Sequence, residues 1–345
     1  MSPLAFFAVF LASALLTGLF RIYALRKGML DTPNARSSHE LPTPRGGGNA
    51  IVISFSLAAL GYVFVSDLWP VNWAIALLGA GLGVALIGWI DDHGHIAARW
   101  RLLIHFGAAL WACLWLNITD FPAIPIFGMD VPFGALILIP ACLYLVWLLN
   151  LYNFMDGING IAASEALSVS FGAAVITGLS ATPGGETVQT LSLLLAAATL
   201  GFLPWNFPNA RIFMGDAGSG FIGIVLGVLS LQSIWHAPEL IWCWLILLGV
   251  FIVDATYTLL QRYRKGERLH EAHRNHAYQY SSRLAGSHVP ITLSVTAINL
   301  CFLLPLAIAV ALKILDGATG LLIAYIPLLL LARYFKAGDR KLQCC

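Results

Sequence analysis

Long apolar runs recur along this chain and leave little room for a soluble domain. Eleven of them come close to the roughly 20 residues that a helix needs to cross a bilayer. Their predicted bounds are 4–24, 47–66, 73–90, 102–119, 132–149, 161–180, 188–205, 219–236, 239–258, 290–312 and 319–335. Only 10% of the residues are charged, against about 25% in a soluble domain. We therefore predict an all-α polytopic membrane protein with about 10–11 transmembrane helices and a single domain over residues 1–345.

The distribution of basic residues predicts the orientation of the helices. If the loops alternate from an outside N-terminus, every one of the 19 lysines and arginines except Lys313 lies inside. Loops on the cytoplasmic side of a membrane carry an excess of these residues. The first run is not expected to be a cleaved signal peptide, because its basic cluster follows it. We predict a periplasmic N-terminus and a cytoplasmic C-terminus, with the functional residues on cytoplasmic loops.

The first inside segment, 29–50, combines prolines, a glycine run and two candidate ligands. Gly46 to Gly48 would let the backbone approach a ligand closely just before the second span. Arg36 and Arg45 are candidates for binding the substrate. The alternative is a solvated linker whose arginines only orient the protein.

The second inside segment begins with Asp91 and Asp92, at the end of an apolar run. Carboxylates at the edge of a bilayer are costly and usually mark a functional site. Neighbouring positions on a helix diverge by about 100°, so both side chains can face one ligand only in a turn or at a fraying helix end. Arg99 and Arg101 follow, at a depth that suits a phosphate group. The alternative is a pair of interfacial acids neutralised by these arginines.

The third inside segment, 148–165, carries Asn150, Asn153 and Asp156 at intervals of three residues. This spacing predicts a row on one helix face, after which two glycines break the helix and flank Asn159. Amide groups offer both donors and acceptors, as recognition of a nucleobase or an N-acetyl sugar requires. The alternative is a structural helix cap.

The fourth inside segment, 204–221, joins Phe213 to a Gly-Asp-Ala-Gly-Ser turn. Mg²⁺ prefers one or two carboxylates together with phosphate oxygens, so Asp216 is the candidate metal ligand. Phe213 could stack on a base, and Asn206 is a further candidate for substrate binding. The alternative is a simple helix-capping motif.

The fifth inside segment, 261–286, is basic and contains His273, Arg274 and His276. A cluster of this kind suits a diphosphate, although it could equally serve only to orient the protein. Without cysteines, a structural zinc site is not expected. Asp254, in the preceding span, could support this site or pair with an arginine of the segment.

A ligand for these segments must carry phosphate, require a divalent cation and have an apolar part. Transfer of a phosphosugar from a nucleotide-sugar to a lipid phosphate meets all three conditions. A transporter or lipid flippase that uses the acids as an ion path is the main alternative, and a structural scaffold is a second. A transporter would place ionisable groups near the membrane midplane and show internal repeats, neither of which is visible here.

The motifs Asp91-Asp92, NLYNFMDGING and FMGD together resemble those of the polyprenyl-phosphate N-acetylhexosamine-1-phosphate transferases. The muramoyl-pentapeptide enzymes of that family carry three successive histidines, whereas this chain has His-Arg-Asn-His at 273–276. The combination of DTPNARSSHELPTPRGGG with AHRNHAYQ is similar to the enzymes that initiate O-antigen and capsule synthesis. The resemblance implies that Asp216 binds Mg²⁺ and that Phe213 and Asn159 line a uridine pocket. It also implies that Asn153 and Asp156 lie in the nucleotide-sugar site.

The resemblance further implies an enzyme of the bacterial inner membrane that releases UMP from a UDP-N-acetylhexosamine and forms undecaprenyl-diphosphate-sugar. Its expected partners are the UDP-sugar, undecaprenyl phosphate and membrane lipid, with no nucleic acid, and a homodimer is compatible with the family. Mg²⁺ is the expected cofactor, for which Mn²⁺ could substitute. Asp91 and Asp92 are expected mainly to place the lipid phosphate and the metal; a general base and a nucleophile are the other roles open to them. Asp156, His273, Arg274 and His276 are the other expected catalytic residues.

Overall fold

The computed structural model describes residues 1–33, 41–66, 68–94, 96–180, 184–267 and 273–339. Helices dominate this part of the chain. They are α1 (Pro3–Lys27), α2 (Asn49–Val65), α3 (Val71–His93), α4 (Ala98–Trp115), α5 (Leu138–Met155), α6 (Ile161–Ser180), α7 (Gly185–Asn206), α8 (Asp216–Ile234), α9 (Leu240–Leu247), α10 (Gly249–Arg264), α11 (Ala277–Ala285), α12 (Val289–Ile298), α13 (Leu304–Ala311) and α14 (Gly317–Tyr334).

Two antiparallel strand pairs and short helical segments complete the described chain. Strand β1 (Leu30–Asp31) pairs with β2 (Thr43–Pro44), and β3 (Ile124–Ile126) forms a hairpin with β4 (Met129–Val131). The 3₁₀ segments are Ile118–Asp120 and Gly134–Ile137, and a π-helical segment, Asn299–Leu303, joins α12 to α13.

Each of the eleven predicted spans coincides with a helix or with a pair of consecutive helices. Within the described residues, eight helical stretches are long and apolar enough to cross a membrane, and α9 with α10 would be a ninth despite a bend of 68°. Helix α2 is shorter, with 17 residues, and α4 carries two arginines in its first turn. The prediction of an all-α polytopic membrane protein is confirmed.

Several helices extend beyond their predicted ends, and this changes where the functional residues lie. Helix α5 continues to Met155 instead of stopping at 149, α8 begins at Asp216 instead of 219, and α4 begins at Ala98 instead of 102. The helices can continue because their polar side chains find partners on neighbouring helices. The expectation that the site lies on loops holds for only part of it. Eight of the predicted site residues lie in helices, namely Asp91, Asp92, Arg99, Arg101, Asn150, Asn153, Asn206 and Asp216.

Helix α8 runs through the centre of the bundle, and all of its residues after Asp216 are buried. Its neighbours approach closely because small residues line the contacts. A Cβ atom at Gly223 would lie 2.6 Å from the Cα of Leu149 on α5, and one at Gly88 on α3 would lie 2.5 Å from the backbone nitrogen of Ala217. This packing places Asp216, the first residue of α8, between the ends of α3 and α5.

The glycine run at 46–48 packs against protein rather than against a ligand. The Gly47 and Gly48 N–H groups donate to the carbonyl oxygens of Phe213 (2.9 Å) and Met214 (2.8 Å). A Cβ at Gly48 would lie 2.5 Å from the Cα of Gly218. The predicted role of these glycines is corrected accordingly, because they let the first inside segment lie directly on the start of α8.

Candidate active site

Asp92 lies at the centre of the cluster and holds the start of α8. Its carboxylate is fully buried and accepts hydrogen bonds from the backbone N–H groups of Asp216 (3.0 Å) and Ala217 (3.3 Å). It also accepts from Nε (3.0 Å) and Nη2 (2.5 Å) of Arg45. An acid at a helix N-terminus is favoured by the helix dipole and by the unpaired N–H groups. Asp92 therefore positions both Asp216 and Arg45.

Arg101 bridges Asp91 and Asp216. One guanidinium nitrogen, Nη1, donates to Oδ2 of Asp91 (2.5 Å) and to Oδ2 of Asp216 (2.8 Å). The other oxygen of Asp91 accepts from the backbone N–H of Ile96 at 2.8 Å. The neighbouring aspartates thus diverge, as expected for consecutive helical positions. Asp92 contacts the backbone of Asp216 directly, and Asp91 is linked to its side chain through Arg101.

Asp216 is the most accessible acid of this group, with 24% of its side chain exposed. Its Oδ1 accepts from Nδ2 of Asn153 at 2.8 Å and lies 3.6 Å from Nη2 of Arg45. Asn153 also contacts Ser219 at 3.3 Å. Each oxygen of Asp216 retains lone-pair capacity beyond its present donors, because a carboxylate oxygen can accept two bonds.

Asp156 caps the end of α5, half-buried, at the margin of this cluster. Burial, followed by the charges of Asp216 and Asp92, raises the pKa of Asp156 to about 7, although Arg45 acts in the opposite direction. Protonated below that pH, Asp156 becomes a carboxylate near neutrality.

Four carboxylates and two guanidinium groups make up the cluster, namely Asp91, Asp92, Asp156, Asp216, Arg45 and Arg101. When all are ionised, two negative charges remain in excess, which a divalent cation would neutralise. Within the described residues, no group of three or more His, Cys, Asp or Glu side chains forms a ready-made metal cage. That arrangement fits Mg²⁺, which uses one or two carboxylates and completes its shell with water and substrate phosphate. Asp216 and then Asp156 are the residues that could hold it.

An open groove of about 760 Å³ is lined by residues close to the cluster in sequence, including Thr43, two positions before Arg45, and Phe213, three positions before Asp216. Phe213 and Asn159, both predicted to line a nucleotide pocket, are on its wall, together with Arg283 and His288. The Asn159 side chain donates to the carbonyl oxygen of Pro208 at 3.0 Å, which ties two walls together. The volume falls within the roughly 300–1,000 Å³ of small-molecule sites.

Two predicted substrate ligands, Asn206 and Arg99, differ in their surroundings. Asn206 is 2% exposed, and its amide is used to accept from the N–H of Gly160 (2.8 Å) and to donate to the carbonyl of Ile212 (3.0 Å). Arg99 is exposed and lies over the ring of Trp100 at 5.6 Å. The Asn206 amide therefore joins two inside segments. Substrate binding by the exposed Arg99 stays a prediction. Arg36 lies outside the described residues.

The His-Arg-Asn-His segment is held between α10 and α11. His276 is 1% exposed, and its Nδ1 lies 3.3 Å from Oδ1 of Asp254, while its ring stacks on that of His273 with centroids 4.9 Å apart. Burial and the neighbouring His276 and Arg262 lower the pKa of His273 to about 3, so His273 is neutral at physiological pH. The permanent positive charge of the segment therefore comes from Arg274.

A small cavity is lined by four predicted residues, Arg101, Asn150, Asn153 and Asp216, and by one that the sequence analysis missed. Asn150 lines it, and its amide donates to the carbonyl of Val146 at 2.7 Å. His105 lines the same cavity. It lies one helical turn after Arg101, so the i, i+4 spacing was the available signal. Tyr278, which donates to the carbonyl of Phe154 at 3.1 Å, had no local signal.

Comparison with known proteins is consistent with this geometry. Residues 73–234 match the model of "Glycosyl transferase family 4". The chain is 32% identical over 310 residues to the decaprenyl-phosphate N-acetylglucosaminephosphotransferase of Mycolicibacterium smegmatis, covering 79% of this chain and 73% of that protein. The chain belongs to glycosyl transferase family 4.

Two further relatives show the breadth of the likeness. A probable undecaprenyl-phosphate N-acetylglucosaminyl 1-phosphate transferase of Bacillus subtilis is 29% identical over 300 residues, covering 86% of this chain and 82% of that protein. A phospho-N-acetylmuramoyl-pentapeptide-transferase of Synechococcus elongatus is 30% identical over 235 residues, covering 64% and 60%. The chain is accordingly a phosphotransferase of this family, and the transporter and scaffold alternatives lose their support.

Proposed function

We propose that this protein transfers an N-acetylhexosamine 1-phosphate from a UDP-sugar to undecaprenyl phosphate. The products would be UMP and undecaprenyl-diphosphate-sugar. The observation that carries this proposal is the cluster at the start of α8, where Asp216 is held by Asp92, Arg101 and Asn153. The open groove lined by Phe213 and Asn159 supports it. Two relatives are named as transferases of undecaprenyl phosphate and of decaprenyl phosphate, which supports a polyprenyl phosphate as the acceptor.

The reaction forms a bond between an oxygen of the lipid phosphate and the sugar-bearing phosphorus of the donor. The bond from that phosphorus to the bridging oxygen breaks, and UMP leaves with the electron pair. A phosphate monoester has a second pKa of about 6, so the attacking group is already largely dianionic at neutral pH. The chain therefore needs groups that orient two anions more than it needs a strong base.

Arg45 and Arg101 are the groups best placed for that orientation. Each is about 30% exposed and is held by a buried or nearly buried aspartate. Guanidinium groups fixed in this way can hold phosphate oxygens with defined geometry. Asp92 and Asp91 would thus act by positioning the arginines and Asp216, with proton removal secondary.

Mg²⁺ bound at Asp216, with Asp156 nearby, would neutralise charge on the diphosphate and on the departing nucleotide. Mn²⁺ could take its place. The uracil would stack on Phe213 next to Asn159, while Arg274 would add charge from the His-Arg-Asn-His segment.

The distribution of lysines and arginines supports a periplasmic N-terminus and a cytoplasmic C-terminus. The cluster would then face the cytoplasm, where nucleotide-sugars are made, in the inner membrane of a bacterium. Initiation of O-antigen or another cell-envelope polysaccharide is the role that these features favour. The donor would be a UDP-linked N-acetylglucosamine, N-acetylgalactosamine or N-acetylated deoxyhexose.

Release of UMP from a panel of UDP-N-acetylhexosamines tests the proposal directly. Purified protein would be supplied with undecaprenyl phosphate and Mg²⁺, and Asp216→Ala would be the matched variant. Release that depends on the lipid and disappears in the variant would support the reaction and identify the sugar. Folded wild-type protein that releases no UMP from any donor would contradict it.

A further inference from the structure

A second buried aspartate, Asp254, holds the start of another helix in the same way as Asp92 holds α8. Asp254 lies on α10, 6% exposed. Its carboxylate accepts hydrogen bonds from the first two N–H groups of α11, Ala277 at 2.9 Å and Tyr278 at 3.0 Å. An arginine partner, one of the two roles predicted for Asp254 from the sequence, is not among these contacts.

We propose that Asp254 is a positioning residue for the reaction, acting through His276 and Tyr278. This inference rests on the proposed transferase function and extends it to a residue of a membrane-spanning helix. Asp254 would align two inside segments at once, the His-Arg-Asn-His segment and the turn that follows α5.

The link to His276 is a direct contact between side chains. Oδ1 of Asp254 lies 3.3 Å from Nδ1 of His276. Because an ionised carboxylate only accepts hydrogen bonds, this contact requires a proton on Nδ1 of His276. Asp254 therefore fixes that proton and the ring plane of His276, on which His273 stacks.

The link to the turn after α5 passes through Tyr278. Its backbone N–H is held by Asp254, and its hydroxyl donates to the carbonyl of Phe154 at 3.1 Å. The same hydroxyl occupies the space that a Cβ at Gly157 would need. Asn153 directly precedes Phe154 in the chain, and Asp156 directly precedes Gly157. A displacement of α11 would therefore also move the side chains of Asn153 and Asp156.

The buried carboxylate of Asp254 is satisfied by several hydrogen-bond donors. Three N–H or hydroxyl donors and one imidazole surround the carboxylate, including Thr258 Oγ1 at 3.1 Å. A buried acid is tolerated when such donors satisfy it. An apolar residue in place of Asp254 would leave the N–H groups at the start of α11 unpaired. Asparagine would place its NH₂ group, a donor, against groups that also donate.

The test compares Asp254→Asn with Thr258→Val, which removes only the threonine hydrogen bond. Hydrogen–deuterium exchange would be measured at the amides of Ala277 and Tyr278, and kcat and KM for the UDP-sugar would be normalised to molecules that bind UDP. We expect Asp254→Asn to speed exchange at both amides at least tenfold and to lower kcat about 10–100-fold, as loss of an orienting partner typically does. The KM should change less than kcat, and Thr258→Val should resemble the wild type.

A merely structural role would lower the thermal midpoint but leave kcat per UDP-binding molecule unchanged, and that result would overturn the proposal. Unchanged exchange in Asp254→Asn would overturn it as well. His276→Gln provides a further check. Because Asp254 acts through both His276 and Tyr278, the double variant should be slower than His276→Gln alone, but by less than the product of the two single effects; fully multiplicative effects would show that Asp254 does not act through His276. If the wild type released no UMP, the proposed function would fail, while the exchange data would still decide whether Asp254 holds α11.

Discussion

Replacing Asp92 by asparagine keeps the shape of the side chain and removes its charge. The carboxylate accepts four hydrogen bonds, three at Oδ1 from Arg45 and Asp216 and one at Oδ2 from Ala217. The amide oxygen of asparagine would take the position of Oδ1 and accept the same three hydrogen bonds. Its NH₂ group would then face the N–H of Ala217, so that a donor meets a donor.

The cost follows from these contacts. A buried N–H without a partner costs about 1–3 kcal/mol, and changing charge-assisted bonds to neutral ones loses about 1 kcal/mol more. We therefore expect the free energy of unfolding to fall by about 2–4 kcal/mol, which lowers the thermal midpoint by about 3–6 °C. Because this contact holds Asp216, the first residue of α8, its loss should displace the Asp216 side chain. We therefore also expect UMP release to fall by about 100-fold, the effect typical of a 1 Å misplacement.

The measurement is thermal unfolding in detergent combined with UMP release across a pH series. Asp130→Asn, an exposed carboxylate on β4, is the control and should match the wild type in both. An Asp92→Asn variant with the wild-type midpoint and rate would refute the positioning argument. A variant that keeps the wild-type plateau at high pH and loses rate only at low pH would show instead that Asp92 acts as a general base.

Four further predictions rest on the same geometry. The raised pKa of Asp156, about 7, means that protons compete with a divalent cation below neutrality. Apparent Mg²⁺ affinity should therefore rise by about tenfold per pH unit towards pH 7 and level off above it, and titration calorimetry should find a shallower slope in Asp156→Asn. By the same shift the metal-free protein should lose stability as the pH rises from about 4 to about 7, which thermal unfolding would detect. Phe213→Leu should raise the KM for the UDP-sugar about tenfold with little change in kcat, because stacking on a base contributes about 1–3 kcal/mol; an unchanged KM would place the base elsewhere. Ending the chain after Phe335 should lower activity about fivefold, since the Gly338 N–H donates to the carbonyl of Asn275 at 2.8 Å and one such bond contributes about 1 kcal/mol; a chain ending after Asp339 is the control, and equal activity of the two would show that this contact is dispensable.

The architecture was predictable from the sequence because it depends on composition and on periodic apolar runs. The runs located the long apolar helices of the described residues. The candidate site was predictable in membership, since Asp91, Asp92, Asn153 and Asp216 are brought together by the fold. Polar residues at the ends of apolar helices are costly enough to stand out.

The division of roles among those residues was decided only by tertiary structure. Asp91 and Asp92 are neighbours in sequence, yet one pairs with Arg101 and the other caps α8, 124 residues further along. From the sequence, Asn206 was a candidate for substrate binding. In the structure it is buried and hydrogen-bonds to Gly160 and Ile212, which belong to two different inside segments. The contact of Asp254 with Ala277 at the start of α11, 23 residues away, has no signal in the sequence around Asp254. Local spacing shows which face of a helix a side chain occupies, but its hydrogen-bond partners come from helices that are close only after the bundle has packed.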